Sequence, residues 1–116
     1  METISIDNIP RGDLPVLHVS QGDDGRELKI NLLENGSPLI VSFLDEEDHF
    51  FIDIKPPKSD AIRITANFES GSDYVTFKTS ESFTSESGKA LCKLREITDT
   101  TDIGFGNFLL DIEKAP

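Results

Sequence analysis

Residues 26–38 read RELKINLLENGSP, and this stretch combines two signals of β-structure. Leu28, Ile30 and Leu32 alternate with polar residues, which is the pattern of a strand with one buried face. The dipeptide Asn35-Gly36 follows the strand and is typical of a tight turn, because both residues tolerate a positive φ angle. The stretch therefore predicts a half-buried strand that ends in a turn.

The same period-two alternation recurs along most of the chain, and helical periodicity is nearly absent. Pro, Gly and Asp clusters separate the alternating segments, as turn residues do. We expect one helical turn between Ser80 and Gly88, and about eight short strands. The predicted strands lie at 15–20, 26–32, 39–43, 50–54, 62–68, 74–78, 89–97 and 106–113. Without helices to connect parallel strands, this pattern predicts an all-β fold, an antiparallel β-sandwich.

Length and charge limit the functions that the chain can have. Its 116 residues fit a single domain, 1–116. Twenty-two Asp and Glu face eleven Lys and Arg, for a formal net charge of -11. This charge repels phosphate backbones and anionic lipid surfaces, so neither nucleic acid nor a membrane is predicted as a partner. No apolar run approaches the ~20 residues of a membrane span, and no signal peptide is recognised.

The residues do not supply the parts of an active site. Cys92 is the single cysteine, and its context ALCKL indicates a small buried hydrophobe rather than a nucleophile. No serine lies in a Gly-x-Ser-x-Gly elbow, and no glycine-rich loop joins a strand to a helix. His18 and His49 have no spacing typical of a zinc site. We therefore predict no enzyme, no cofactor and no metal.

Two motifs near the start of the chain have alternative interpretations. The tripeptide Arg11-Gly12-Asp13 is known from integrin recognition, and the adjacent Asp23 and Asp24 suggest a calcium loop. A calcium loop needs alternating ligands and a later Glu, which this segment lacks. A second acidic cluster, 45–48, is typical of a solvated loop between strands. Weak calcium binding by Asp23 and Asp24 or by 45–48 stays open as a further hypothesis.

Ordinary turns explain the two motifs more simply. Gly12-Asp13 bends the chain ahead of Pro15, and we expect Gly25 to hold a positive φ angle. The turn that contains Gly25 is predicted to let Leu28 pair back against the first strand. Arg11 and Arg26 are placed to form ion pairs with nearby carboxylates, such as those of Asp13, Asp23 or Asp24.

The order of these segments resembles the N-terminal domain of phage baseplate upper proteins. The residues that resemble the beginning of this domain are the turns at Arg11, Gly12, Asp13, Gly25 and Arg26, the strands 16–19 and 28–32, Ser20-Gln21, Asp23, and Asn35-Gly36 with Pro38. Residues 88–94 and 106–113 resemble the last two strands of the family. The middle of the chain departs from the family pattern, since 54–60 lacks the glycine of the usual turn.

The resemblance implies an immunoglobulin-like sandwich with a structural role. Such domains sit at the tail tip of phages that infect Gram-positive bacteria. They attach to the distal-tail hub and link it to receptor-binding proteins. We therefore expect a virion component, made in the host cytoplasm, that binds other baseplate proteins and self-associates in the baseplate. The family's members are longer, so the chain is expected to be an N-terminal fragment.

Three apolar residues are predicted to form a partner interface. Phe51, Leu91 and Leu109 alternate away from the core-facing positions of their strands. An exposed apolar patch on a sheet face is typical of a docking surface, although an edge or a covering loop could also bury these residues. The alternative function is a β-sandwich module that binds host-surface polysaccharide or acts as an adhesin.

Overall fold

The computed structural model describes residues 2–9 and 12–115, and this part of the chain forms nine strands and one short helix. The strands are β1 (Glu2–Asp7), β2 (Val16–Ser20), β3 (Glu27–Glu34), β4 (Ser37–Pro38), β5 (Phe50–Lys55), β6 (Ile62–Phe68), β7 (Tyr74–Lys78), β8 (Gly88–Ile97) and β9 (Asp102–Glu113). The helix α1 (Glu81–Thr84) lies where one helical turn is predicted. Within these described ranges, no helix is long and apolar enough to cross a membrane.

The strands form one path of hydrogen-bonded neighbours that is almost closed into a barrel. Their order is β1-β3-β7-β6-β5-β8-β9-β2, with β4 paired to β3 beside this path. Most neighbours are antiparallel, but both end pairs, β1 with β3 and β2 with β9, are parallel. The predicted all-β class is confirmed. The expectation of purely antiparallel pairing is wrong, and the barrel shape does not specifically support an immunoglobulin-like sandwich.

Three details of the predicted strand positions are wrong, and one of them is the omission of the two-residue strand β4. Residues 39–43 are an extended loop rather than a strand. Their alternation reflects burial, since Val41 is buried and its amide donates to the Ser72 carbonyl without forming a ladder. The prediction also omits β1, although Ile4 and Ile6 alternate there with polar residues.

The connection between β2 and β3 also differs from the prediction. Leu28 does not pair with β2, because β3 lies between β1 and β7 while β2 pairs with β9. The chain crosses to the other side of the barrel in this connection. The amide of Gly25 donates to the Thr79 carbonyl at 2.8 Å, and the amide of Arg26 donates to Thr79 Oγ1 at 2.9 Å. These two bonds attach the crossing segment to the end of β7.

The core fills the inside of the barrel with apolar side chains from both halves of the sheet path. Phe77 on β7 and Phe108 on β9 meet across it, with ring centroids 6.2 Å apart. Cys92 on β8 is fully buried, which confirms its predicted role as a small hydrophobe. Burial raises the pKa of the Cys92 thiol to about 12. The thiol therefore stays protonated and unreactive at neutral pH.

The predicted turn at Asn35-Gly36 joins β3 to β4 and also anchors β1. Asn35 and Gly36 have φ angles of 49° and 84°, the left-handed values that a two-residue hairpin turn requires. The carboxylate of Asp7, at the end of β1, accepts hydrogen bonds from both turn amides, at 2.9 and 2.7 Å. The turn therefore helps to hold β1 beside β3.

The barrel closes where β1 approaches β9 at Gly106. A Cβ atom at this position would overlap Cγ2 of Ile6, a buried side chain on β1. The φ angle of Gly106 is not positive, so close packing, and not backbone conformation, requires glycine here. The absence of a side chain on β9 is what lets β1 lie against it.

Replacing Gly106 with alanine should destabilise the domain by about 1–3 kcal/mol, because Ile6 and β1 must move away from β9. Urea unfolding measures the change in free energy. Gly104→Ala is the matched control, since a Cβ there meets nothing within 4 Å and the strand is the same. Equal stability of the two variants would show that β1 adjusts without cost.

Candidate docking face

The candidate site is the outward surface of five consecutive strands of the path, β6, β5, β8, β9 and β2. Residues alternate along each strand between the core and this surface; on β8, Ala90 and Cys92 are buried while Leu91 and Lys93 are exposed. We call this surface the outer face. Its residues are Arg63 and Thr65 on β6, Phe51, Asp53 and Lys55 on β5, Lys89, Leu91, Lys93 and Arg95 on β8, Asn107, Leu109 and Asp111 on β9, and Val16 and His18 on β2.

The strand register brings two of the predicted interface residues together. Leu91 on β8 lies directly opposite Leu109 on β9, and Leu109 lies directly opposite Val16 on β2. Leu91 is 47% exposed, and the other two residues are half-buried. Directly opposed side chains on one face of a sheet are close enough to interact. Val16, Leu91 and Leu109 therefore form an apolar strip across three strands.

Phe51 shares the outer face but lies apart from the apolar strip. It pairs with Arg95, whereas Leu91 pairs with Lys55, so the two positions differ by four residues along the strands, about 13 Å. Phe51 is half-buried, and the guanidinium carbon of Arg63 lies 5.9 Å from its ring centroid. Phe51 therefore does not adjoin Leu91 and Leu109, although the three residues are predicted to form one partner interface.

Basic residues are concentrated on the outer face of this acidic chain. Five of the eleven Lys and Arg residues lie there. They are Lys55, Arg63, Lys89, Lys93 and Arg95. This concentration was not predicted from the sequence. On β8 it was visible as basic residues at alternate positions, but their alignment with Lys55 and Arg63 depends on strand order.

The two arginines of the outer face form ion pairs with carboxylates of the same domain. Arg63 donates two hydrogen bonds to the carboxylate of Asp53, at 2.7 and 3.1 Å, and these lower the pKa of Asp53 below its ordinary value. Arg95 donates to Asp102 at 2.8 Å. By contrast, Lys89 and Lys93 are exposed on either side of Leu91 and form no ion pair within the described residues. Lys93 lies opposite Asp53 and Lys89 lies opposite Asp111, so each has a carboxylate on the neighbouring strand.

Of the turns that carry the resemblance, Gly12 and Asp13 lie beside the outer face, where they line a pocket with Lys93, Arg95 and Asn107. Arg11 is outside the described residues. Gly12 has a φ angle of 72°, and Asp13 beside it is exposed. Gly25 has a φ angle of 82°, as expected for a turn glycine. Arg26 Nε lies 2.9 Å from Asp23 Oδ2, which is one of the ion pairs considered from the sequence.

Two of the acidic residues considered for calcium, Asp23 and Asp45, are engaged with groups of the chain itself. The Asp23 carboxylate accepts hydrogen bonds from the Ser20 amide and from Arg26. Asp45 bonds His49 and the Glu47 amide. In the part of the chain that the structure describes, no group of three or more His, Cys, Asp or Glu is arranged to hold a metal ion.

Replacing Gly25 with valine should destabilise the domain by about 1–2 kcal/mol, because a β-branched residue resists a positive φ angle. No atom lies within 4 Å of the added Cβ, so the cost comes from the backbone alone. Gly25→Asn is the control, since asparagine tolerates left-handed backbone, and it should cost less. Thermal melting compares the two; an unchanged midpoint for the valine variant would contradict the expectation.

Comparisons with known proteins give a match at the level of fold. No protein-family model matches the chain, and no curated protein matches it. Among solved structures, the N-terminal domain of phage TP901-1 ORF48 matches with a TM-score of 0.63 and 15% sequence identity. The match covers 97% of this chain and 98% of that chain.

This match extends over essentially the whole of both domains, and the phage domain belongs to a baseplate protein. At 15% identity the likeness concerns the fold and not individual side chains. It also agrees with the resemblance in the turns and end strands of the sequence. The chain has the fold of the N-terminal domain of a phage baseplate protein, and the resemblance predicted from its sequence is confirmed.

Proposed function

We propose that this domain is a non-enzymatic structural part of a phage tail baseplate that docks to the distal-tail hub and links it to receptor-binding proteins. The observation that carries the proposal is the end-to-end fold likeness to the N-terminal domain of TP901-1 ORF48. In this proposal the domain resides in the tail of the virion, and several copies of it associate within the baseplate.

The outer face suits docking better than the strand edges do. The two end strands of the path, β1 and β2, lie near each other at the seam of the barrel. There the Glu2 carboxylate accepts a hydrogen bond from the His18 amide at 2.9 Å, so this edge group of β2 is already satisfied. An added strand would have to displace such contacts, whereas the outer face is open.

The apolar strip and its two lysines have the composition of a small interface. Leu91 and Leu109 provide apolar area at the centre, and Lys89 and Lys93 provide a charged rim. Interfaces commonly combine an apolar centre that is shielded from water with a polar rim. The matching partner surface would present an apolar groove with carboxylates beside it.

The double substitution Leu91→Ser and Leu109→Ser should weaken binding to the distal-tail protein of the same phage by at least tenfold, about 1.4 kcal/mol. Co-expression and pull-down identify the complex, and biolayer interferometry measures its affinity. Ile103→Ser is the matched control, because Ile103 is 53% exposed at the other end of the β8–β9 ladder. The control should bind like the unchanged domain.

Three results would contradict parts of this proposal. Equal binding by all variants would exclude the apolar strip as the interface while leaving the baseplate role intact. Failure to bind any tail protein of the phage would contradict the baseplate role. Binding to cell-wall polysaccharide on a glycan array, in the absence of tail-protein binding, would instead support the polysaccharide-binding alternative.

A further inference from the structure

His49, just before β5, is a buried histidine at the base of the loop formed by residues 39–49. Its side chain is packed among aromatic rings and only 6% exposed. The ring stacks on Phe43 with a centroid distance of 3.8 Å and an angle of 15° between the planes. Phe68 of β6 lies beside it at 5.8 Å. The loop is therefore anchored to the barrel through this ring.

Both nitrogens of the His49 ring face groups that accept hydrogen bonds. Nδ1 lies 3.1 Å from the carbonyl oxygen of Ile97 on β8, and Nε2 lies 2.5 Å from Oδ1 of Asp45 on the loop. A carbonyl and an ionised carboxylate can only accept. Both nitrogens must therefore carry a proton for the two bonds to form together, and the ring is then a positively charged imidazolium.

We propose that His49 is a proton-operated latch that holds Asp45, at the tip of the 39–49 loop, against the barrel when the ring is protonated and releases it when the ring is neutral. A neutral ring has one N–H. The Ile97 carbonyl retains it, because Ile97 is half-buried whereas Asp45 is exposed and water can replace its bond. Nε2 then presents a lone pair to the Asp45 carboxylate. The two acceptors repel each other, and Asp45, which is exposed, turns to water.

The charges around the ring support this assignment. Asp45 and Glu47, both on the loop, are the charged groups that act on His49, while β8 contributes the Ile97 carbonyl and Phe43, Phe50 and Phe68 contribute aromatic rings. Burial alone would lower the pKa of His49, but its hydrogen bonds to Asp45 and Ile97 outweigh burial and raise the pKa above 6.5.

The sign of the pH effect follows from these shifts. The His49–Asp45 bond contributes its full stabilisation below the ordinary histidine pKa and loses it as the pH rises through the raised pKa of His49. At the acid end, the hydrogen bond from His49 lowers the pKa of Asp45, so the pair persists until the pH falls through that value. The latch is closed between the two pKa values and opens above the upper one.

Opening the latch affects the tip of the loop. Asp45 also accepts a hydrogen bond from the Glu47 amide at 3.1 Å. When the Asp45 carboxylate turns to water, the Glu47 amide loses this acceptor. Residues 45–48 are four consecutive acids, and the imidazolium is the cation beside them. Leu44 is fully exposed at this tip.

NMR of the full chain tests the latch directly. Long-range ¹H–¹⁵N correlation spectra follow both ring nitrogens of His49 with pH, and amide hydrogen exchange follows Glu47. Below the titration midpoint, both nitrogens should be protonated and the Glu47 amide protected; above it, Nε2 should lose its proton and the protection should be lost. Asp45→Asn should move the midpoint of His49 to lower pH. Glu46→Gln, which removes a carboxylate from the same exposed loop, should move it less.

The outcomes separate clearly. A ring that carries one proton at pH 6 would overturn the proposal, as would a midpoint that is the same in Asp45→Asn and in the unchanged chain. Protection of the Glu47 amide that does not depend on the state of His49 would also overturn it. The spectrum of Asp45→Asn shows whether the variant is folded, and the ring nitrogens of the unchanged chain give an independent reading.

Discussion

Ile6 on β1 packs against the bare backbone of Gly106 on β9, and the shape of the domain depends on this contact. β1 is hydrogen-bonded to β3 on one side only, so side-chain packing and not a ladder brings it across to the far end of the strand path. With β1 in place, Asp7 reaches the Asn35-Gly36 turn, and Glu2 reaches the edge of β2. Closure of the barrel thus brings the two end strands, β1 and β2, beside each other.

Much of the fold could be predicted from the sequence, because strands and turns leave local signals. Alternation located seven of the nine strands, and Asn35-Gly36 is a turn for the reason that its residues suggest. The pattern failed at 39–43, where an extended loop buries alternate residues without pairing. The pairing of β2 with β9 could not be predicted, because segments so distant in sequence share no local signal.

The outward orientation of Leu91 and Leu109 could be predicted from the sequence, but their position relative to each other could not. Alternation showed that Leu91 and Leu109 point outward, and the register then placed them opposite each other. Val16 joined them only through the parallel pairing of β2 with β9. The basic character of the outer face had the same cause, since it needs β5, β6 and β8 side by side. In a chain of net charge -11, this face carries five of the eleven basic residues.

The pairing of β2 with β9 also sets the order in which the protein can fold. β2 has no other strand partner among the described strands, and Val16 pairs with Leu109 near the end of the chain. During synthesis β2 is made before β9, so both edges of β2 stay unpaired until β9 has been made. Such long-range pairings slow folding, and unpaired strands promote aggregation meanwhile. The net charge of -11 makes copies of the chain repel one another, which opposes such aggregation.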